Sequence, residues 1–341
     1  MCYYYVLIIN LKMRKFLTIL LFISAQLVGS AQNPHFSQFY SNPLYLAPSF
    51  AGSTLGTRFV LNYRDQWARL PGSYISSSFS VDHYFPGIKS GMGLFVLVDD
   101  AGSGKMTTMN IGYQYSYKIR ATSELYIQPG LSAYYYSRRT NYSKINFADQ
   151  FFGNEFLGST SETLPKSSVN HFDFTVSAMG YTENVWFGFS IDHLMSLSPV
   201  LNSDFKYPDL RLSLFGGLKI VTKRRFRNKN NETIHIAFNL RNESKINQLD
   251  IGGYFFKAPV MVGLWYRGMP IGNTFSNSDA LIYLLGIKYN RFTFSYSYDM
   301  TLGNLIANTG GSHEIGVNYV IDNSKKQARK KKFRAIPCPE I

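Results

Sequence analysis

The feature that most restricts the fold of this chain is a repeated alternation of apolar and polar residues. In residues 109–118 the odd positions hold Met, Ile and Tyr, while the even positions hold Asn, Gly, Gln, Ser and Lys. A period of two residues places the two sets on opposite faces of a β-strand. Residues 292–299 alternate in the same way, and the pattern recurs from about residue 57 to residue 321. The sequence therefore predicts an all-β protein whose strands have one apolar and one polar face.

The start of the chain has a pattern typical of export. Two basic residues precede an apolar run at 16–23, and small residues follow at 29–31. This order predicts a signal peptide over residues 1–31, in which residues 1–12 form an N-terminal extension. A membrane anchor is the alternative, but the run is short for a spanning helix. We therefore expect cleavage after Ala31.

Alternating strands behind a signal peptide indicate a transmembrane antiparallel β-barrel of the outer membrane. Most candidate strands have the length that a tilted strand needs to cross a bilayer, about 9–11 residues or slightly more. We count fourteen of them, and an even number puts both ends of the barrel on one side, which we expect to be periplasmic. The candidate strands lie near residues 57–65, 74–84, 90–98, 106–118, 123–137, 169–181, 184–192, 209–221, 233–242, 246–257, 259–268, 279–289, 291–299 and 313–321.

The predicted organisation has an arm and a tail around the barrel. The signal peptide is followed by an N-terminal arm at 32–56, the barrel at 57–321 and a basic tail at 322–341. Several prolines and aromatic residues of the arm do not fit a strand. We expect the arm to lie in the barrel mouth like a plug or to be buried by a partner, with a purely packing role as the alternative.

The net charge of +14 is concentrated in two clusters, one within 223–229 and the other within 325–334. Counting the connections of the barrel puts both clusters on the predicted periplasmic side. An electrostatic dock for an acidic partner is one interpretation, and solvated turns that contact lipid phosphates are the other. Nucleic-acid binding is not expected of an exported envelope protein. The candidate partner-binding residues are Lys223, Arg224, Arg225, Arg227, Lys330, Lys331, Lys332 and Arg334.

Known catalytic signatures are absent from the sequence: there is no Gly-x-Ser-x-Gly, His-Glu-x-x-His or Walker loop. We predict a protein that is not an enzyme, with no catalytic residue, cofactor or metal. One alternative is a protease-like arrangement of Asp99, Asp100 and His193 on the outer rim. Another is an ion-binding loop at 99–105, which lacks the later bidentate Glu. Removal of the signal peptide leaves Cys338 alone, which excludes a disulfide framework.

Charged residues also end several strands on the same predicted outer rim. Arg64, Arg267 and Asp299 each close a strand there, beside Tyr63, Tyr266 and Tyr298 respectively. A polar network among the three charged residues is a hypothesis, since the sequence alone does not place them in contact.

Short motifs spread over nearly the whole mature chain resemble the PorP/SprF family of Bacteroidetes outer-membrane proteins. That family is associated with the type IX secretion system and, in some members, with gliding motility. A departure is Ala47-Pro48-Ser49, where the family usually reads closer to Asn-Pro-Ala. The matching segments include 34–46, 63–67, 91–93, 99–102, 147–150, 263–267, 296–299 and 313–315, and the motif positions are Phe36, Gln38, Tyr63, Arg64, Gln66, Trp67, Tyr266, Arg267, Tyr298, Asp299, His313 and Glu314.

The resemblance implies a non-enzymatic outer-membrane barrel that helps to export, anchor or couple secreted surface proteins. It implies as partners the periplasmic ring, motor or translocon of type IX secretion, a secreted surface protein and outer-membrane lipid. Two other functions stay open: a general solute channel, which the polar strand faces would suit, and an outer-membrane hydrolase. The cargo is not identified by the resemblance.

Overall fold

A computed structural model shows the chain as an antiparallel β-barrel with an N-terminal segment inside it. It describes residues 34–322 except 55, 71, 103–105, 153–154, 157, 159, 163–166, 198–207, 224–231, 244–245, 270–278 and 303–308. The compact unit that contains the barrel begins at His35. Within the described part of the chain, no helix is both long enough and apolar enough to cross a membrane.

Fourteen strands form the wall, and each pairs antiparallel with the next. The ring closes because the first strand also pairs with the last, from Gly56 opposite Asp322 to Gln66 opposite Ser312. This confirms the predicted fold class and strand number. The strands are β1 (Gly56–Gln66), β2 (Tyr74–Phe85), β3 (Ser90–Ala101), β4 (Met106–Tyr117), β5 (Tyr126–Thr140), β6 (Ser168–Tyr181), β7 (Val185–Asp192), β8 (Arg211–Lys223), β9 (Glu232–Glu243), β10 (Ile246–Lys257), β11 (Val260–Gly268), β12 (Ala280–Tyr289), β13 (Phe292–Thr301) and β14 (Ser312–Asp322).

Short elements occupy the segment before β1 and some connections. One α-helix, Pro43–Leu46, lies between two 3₁₀ turns, Phe39–Ser41 and Pro48–Phe50. Further 3₁₀ turns are Tyr142–Lys144, Ala148–Gln150 and Leu194–Leu197, and two-residue strands are Ile119–Arg120, Phe151–Phe152 and Glu155–Phe156.

The alternation seen in the sequence turns the polar faces of the strands inward. On β13, Phe292, Phe294 and Tyr296 are 40–50% exposed on the outside, whereas Ser297 and Asp299 are at most 2% exposed. The other strands turn Leu, Ile, Phe and Tyr outward and mostly Ser, Thr, Asn, Gln and charged residues inward. An inward apolar patch on β7, β8, β11 and β12 is the exception, with Trp186, Phe215, Trp265 and Ile282 buried there. An apolar exterior and a polar interior are the reverse of a water-soluble barrel and suit a lipid environment.

The two ends of the barrel differ. The terminal end carries the start of β1, the end of β14 and mostly short turns, such as Asn290 and Arg291 between β12 and β13. The loop end carries the connections that follow the odd-numbered strands, including the long one between β5 and β6.

The largest boundary error concerns β5, which was predicted at 123–137 and runs from Tyr126 to Thr140. The reason is a tight turn before it. The Ala121 N–H donates to the Leu125 carbonyl at 3.0 Å, and the Thr122 hydroxyl accepts from the Leu125 N–H at 3.0 Å. These bonds hold residues 121–125 in a turn and delay the start of the strand.

Candidate functional site

The most elaborate site of the molecule is the seat of an internal plug, which we define as residues 35–54. The plug lies in the lumen and contacts inward side chains around the ring of strands. Its residues Phe36, Gln38, Phe39 and Phe50 have no exposed surface. A segment with prolines at the start of its helical turns cannot extend the sheet, so it folds compactly within the barrel.

Six buried ionisable side chains of the wall form a charge network beside the plug, near the loop end. They come from β1, β9, β10, β11, β13 and β14, and each is at most 8% exposed. Three guanidinium groups alternate with three carboxylates, so the network is balanced in charge. In order of contact its members are Glu314, Arg64, Asp299, Arg267, Asp250 and Arg241.

The distances in the charge network are those of direct ion pairs. Arg64 lies 2.8 Å from Asp299 and 3.3 Å from Glu314. Arg267 lies 3.0 Å from Asp299 and 2.9 Å from Asp250. Asp299 therefore pairs with both Arg64 and Arg267. This is the polar network of three charged residues that the sequence suggested as a hypothesis. Charges that are removed from water in this way are tolerated because they are paired and hydrogen-bonded.

Ser37 of the plug is bonded at the centre of this network. Its hydroxyl accepts hydrogen bonds from Arg64 and, at 2.8 Å, from Arg267, and it donates to Asp299 at 2.5 Å. Its backbone N–H donates to Glu314 at 2.6 Å. One small residue of the plug thus contacts two arginines and two carboxylates of the wall.

Gln38 extends the same contact along the wall. Its backbone N–H donates to Glu314 at 3.1 Å, its side-chain amide N–H donates to Ser297 at 3.1 Å, and its amide oxygen accepts from Ser295 at 2.6 Å. Both hydrogen-bonding groups of the side chain are therefore satisfied by the lumen face of β13.

The far end of the network contacts His35 and Tyr45 of the plug. Arg241 lies 3.7 Å from Asp250, 2.7 Å from the His35 ring nitrogen Nδ1 and 3.3 Å from the Tyr45 hydroxyl. The other ring nitrogen of His35 contacts Gln248. The charge network therefore binds the plug at its first residue as well as at Ser37.

The remaining wall satisfies the backbone of the plug. Gln114 donates to the Leu44 carbonyl at 2.8 Å, and Gln128 donates to the Ala51 carbonyl at 2.9 Å. Asp82 accepts from the Gly52 N–H at 2.9 Å and also pairs with Arg58 at 2.9 Å. Side chains of the wall take the place of water for backbone groups that the plug cannot pair internally.

Aromatic rings anchor the plug on its other side. Tyr40 stacks on Trp265 of β11 with ring centroids 4.5 Å apart, and Phe39 meets the same indole edge-on at 5.3 Å. Phe50 meets Trp186 of β7 at 5.6 Å and Phe215 of β8 at 5.5 Å. Ring pairs of this kind contribute about 0.5–1.5 kcal/mol each beyond their buried area.

Glycines of the wall allow the closest approach of the plug. A Cβ atom on Gly130 of β5 would lie 2.3 Å from the backbone nitrogen of Ser49. A Cβ atom on Gly91 of β3 would lie 2.0 Å from the Ala51 carbonyl oxygen. Backbone atoms cannot move aside as flexible side chains do, so these two positions require glycine.

Gly130→Ala should therefore lower the free energy of unfolding by about 1–3 kcal/mol, the usual cost of overpacking. It should also make the plug more accessible to protease, since the added methyl group pushes Ser49 away. Urea titration of the folded barrel and the rate of plug cleavage measure the two effects. Gly180→Ala on β6 is the matched control, because its new Cβ would meet nothing nearer than 3.9 Å. Equal effects of the two substitutions would contradict a tight plug contact at Gly130.

The family-motif positions divide between the two faces of the wall. Arg64, Arg267, Asp299 and Glu314 point inward into the charge network, and Phe36 and Gln38 lie in the plug. The outer face carries their chain neighbours Tyr63, Tyr266, Tyr298 and His313, and the rim at the end of β1 carries Gln66 and Trp67. The His313 ring, for example, bonds to the outward Tyr296 hydroxyl at 2.8 Å.

The acidic residues and the histidine of the hydrolase alternative engage different partners. Asp99 accepts from Ser76 at 2.5 Å, Asp100 accepts from Thr107 at 2.5 Å, and His193 contacts Asp173 at 2.5 Å. The structure does not bring the three residues together in one site. Part of the candidate ion-binding loop, at 103–105, lies outside the described residues.

Of the candidate partner-binding residues, one lies in a described strand. Lys223 ends β8 at the terminal end, but the remaining seven lie outside the described residues, as do the predicted signal peptide and the basic tail beyond Asp322. These remain predictions. Basic side chains that the structure does show exposed at the terminal end are Lys89, Arg120, Lys257 and Arg291.

Sequence reasoning missed Ser37, Asp250 and Arg241 as members of the site. Ser37 stands between Phe36 and Gln38, so its motif was noticed while its role was not. Asp250 and Arg241 do lie on the inward faces of β10 and β9. Strand parity could have found them, because a charge on an inward face needs a partner in the lumen.

The barrel is closed, its exterior is apolar, its lumen is largely polar, and an N-terminal segment lies inside it. These features define a plugged β-barrel of the outer-membrane type. Comparison with known families adds that the type IX secretion system membrane protein PorP/SprF matches residues 28–319. The chain belongs to the PorP/SprF family, and it is an outer-membrane barrel of that secretion system.

Solved structures of other barrels are similar to this chain only in outline. CdiB from Acinetobacter baumannii has 8% identity and a TM-score of 0.42, and the match covers 78% of this chain and 60% of CdiB. The KdgM porin has 10% identity and a TM-score of 0.34, with 77% and 99% covered. Omp33 of A. baumannii has 8% identity and a TM-score of 0.38, with 78% and 99% covered. No curated protein matched the sequence.

Proposed function

We propose that this protein is a non-enzymatic, plugged scaffold of the type IX secretion system that helps to export, anchor or couple a secreted surface protein. Membership of the family supports a role in this system. The observation that favours a scaffold is the seat of the plug, where wall residues are used to hold Ser37 and Gln38. A lumen occupied in this way suits a partner-binding barrel better than a general solute channel.

The charged residues of the site support a structural role. In the described part of the chain, the carboxylates of the charge network are paired with arginines at 2.8–3.7 Å. A carboxylate held between two guanidinium groups is a poor general base, because transfer of a proton to it would break both ion pairs.

We also propose an orientation of the barrel in the outer membrane. Outer-membrane barrels have short periplasmic turns and long external loops, which favours a periplasmic location for the terminal end. The exposed Lys89, Arg120 and Lys257 would then face the periplasm, together with the basic tail. This side would bind an acidic component of the periplasmic ring, motor or translocon, while the cargo would be held at the loop end. A role in gliding motility would follow from the same coupling.

Deleting the gene should leave a specific cargo in the periplasm or release it from the cell surface. Restoring the wild-type gene should return the cargo to the surface.

A second experiment tests the basic tail. A variant with Lys330, Lys331, Lys332 and Arg334 replaced by Gln should still assemble in the outer membrane but should recover less periplasmic partner in a pull-down. Added salt should likewise weaken the complex of the wild-type protein. Unchanged surface display of every cargo in the deletion strain would refute the proposed function. If the amount of partner recovered changes neither with the substitutions nor with added salt, the electrostatic dock is refuted, while the proposed function in secretion is not.

A further inference from the structure

An aromatic cleft lies on the outer wall at the terminal end, beside the turn between β12 and β13. It has a volume of about 500 Å³ and is lined by Tyr289, Asn290, Arg291, Phe292 and Tyr319. Tyr289 is 69% exposed and Phe292 is 41% exposed, so the cleft opens toward the surroundings of the barrel rather than toward the lumen.

The register of the strands places the rings of the cleft side by side on neighbouring strands, in a row that we call the aromatic ladder. Tyr289 is opposite Phe292, Phe292 is opposite Tyr319, and Tyr319 is opposite Phe59. The centroids of Phe292 and Tyr319 are 4.5 Å apart, and Phe294 stacks on Phe292 at 5.9 Å along the strand. Aromatic rings at the end of an apolar wall mark the level of the membrane interface.

Arg291 lies at the end of this row of rings, in the turn between β12 and β13. Its carbonyl accepts from the Val320 N–H at 3.0 Å, which ties the turn to β14. Its guanidinium group forms no ion pair or hydrogen bond with any residue that the structure describes. Arg120, at the same end, instead donates to the carbonyls of Thr122 and Ser123 at 3.1 and 3.3 Å.

We propose that this cleft binds one phospholipid, with the phosphate group on Arg291 and the start of an acyl chain against Phe292 and Tyr319. A guanidinium group suits a phosphate because it can donate two parallel hydrogen bonds. Basic residues beside apolar membrane surfaces bind lipid headgroups, and the cleft is within the usual size range of small-ligand sites, about 300–1,000 Å³. The site is independent of the role in secretion, since it uses the outer wall alone.

Native mass spectrometry of the delipidated barrel with added phosphatidylglycerol tests this proposal. The wild type should retain one lipid, and Arg291→Gln should weaken its binding about fivefold, the effect of one basic residue at an anionic lipid surface. Arg120→Gln is the matched control and should bind like the wild type, because it removes the same charge at the same end without changing the cleft. Phe292→Ser should also weaken binding, and heat-dependent gel mobility verifies that each variant is folded.

Two outcomes would overturn the proposal. One is retention by Arg291→Gln equal to that of the wild type, which would leave only unspecific lipid around the wall. The other is displacement of the lipid by glycerol 3-phosphate at equal concentration, which would mean that the aromatic ladder contributes nothing. If Phe292→Ser does not fold, the comparison of Arg291→Gln with Arg120→Gln still decides the question.

Discussion

Replacing Arg267 with alanine should destabilise the folded protein by about 3–5 kcal/mol, the cost of removing one partner from a buried ion pair. Asp250 and Asp299 would lose contacts at 2.9 and 3.0 Å, and the Ser37 hydroxyl would lose a donor at 2.8 Å. The three buried carboxylates of the charge network would then share only two arginines, Arg64 and Arg241. Denaturant titration followed by gel mobility measures the stability, and the rate of proteolysis within residues 35–54 measures release of the plug.

Lys257→Ala is the control for this experiment. Lys257 lies 3.3 Å from Glu232, but its side chain is 62% exposed. An exposed ion pair contributes only about 0–1 kcal/mol, so its loss should leave stability and plug cleavage nearly unchanged. If Arg267→Ala behaves like Lys257→Ala, the charge network does not hold the plug. If stability falls while plug cleavage stays constant, the network stabilises only the wall.

Deleting residues 35–54 should convert the barrel into an open pore with a large, stepwise conductance in planar bilayers. The intact protein should conduct little, because the plug is bonded to inward side chains around the lumen. Its removal leaves polar side chains such as Ser177, Gln114 and Asn318 facing an empty interior. Barrels of a similar number of strands that lack a plug contain an aqueous channel.

A synthetic peptide of residues 35–54 gives this experiment a matched control. The wild-type peptide should reduce the conductance of the deletion variant, and the same peptide with Ser37→Ala should do so less well. An intact protein that conducts as strongly as the deletion variant would favour the solute channel. If the deletion variant does not insert, Arg267→Ala should show an intermediate conductance in the same assay.

Much of the wall could be predicted from the sequence, because a period of two residues directly reports which face of a strand meets lipid. The same parity separates Tyr298 from Asp299 and Tyr266 from Arg267. It does not report depth along the barrel or register with the next strand, which depend on turns and closure. The late start of β5 shows this, since the Thr122 turn that causes it has no signal in the alternation.

The plug and its seat were harder to predict for a different reason. Residues 35–54 have no periodicity, so nothing in them indicates which wall residues they meet. Asp250 and Ser37 are bonded to the same arginine although they are far apart in the chain. Such a contact arises from closure of the whole ring, whereas sequence patterns report only local structure.

The plug and the wall residues that hold it are far apart in the sequence, and this separation has a consequence for assembly of the barrel. Ser37 and Glu314 are 277 positions apart, and the strand that carries Glu314 also closes the ring against β1. The plug can therefore complete its contacts with the wall only after the last strand is in place, and contacts of such long sequence separation are slow to form because of the entropy of loop closure. The hydrogen bond between Ser37 and Glu314 therefore forms only in a chain that has been synthesised through β14, and a chain truncated before β14 lacks the acceptor.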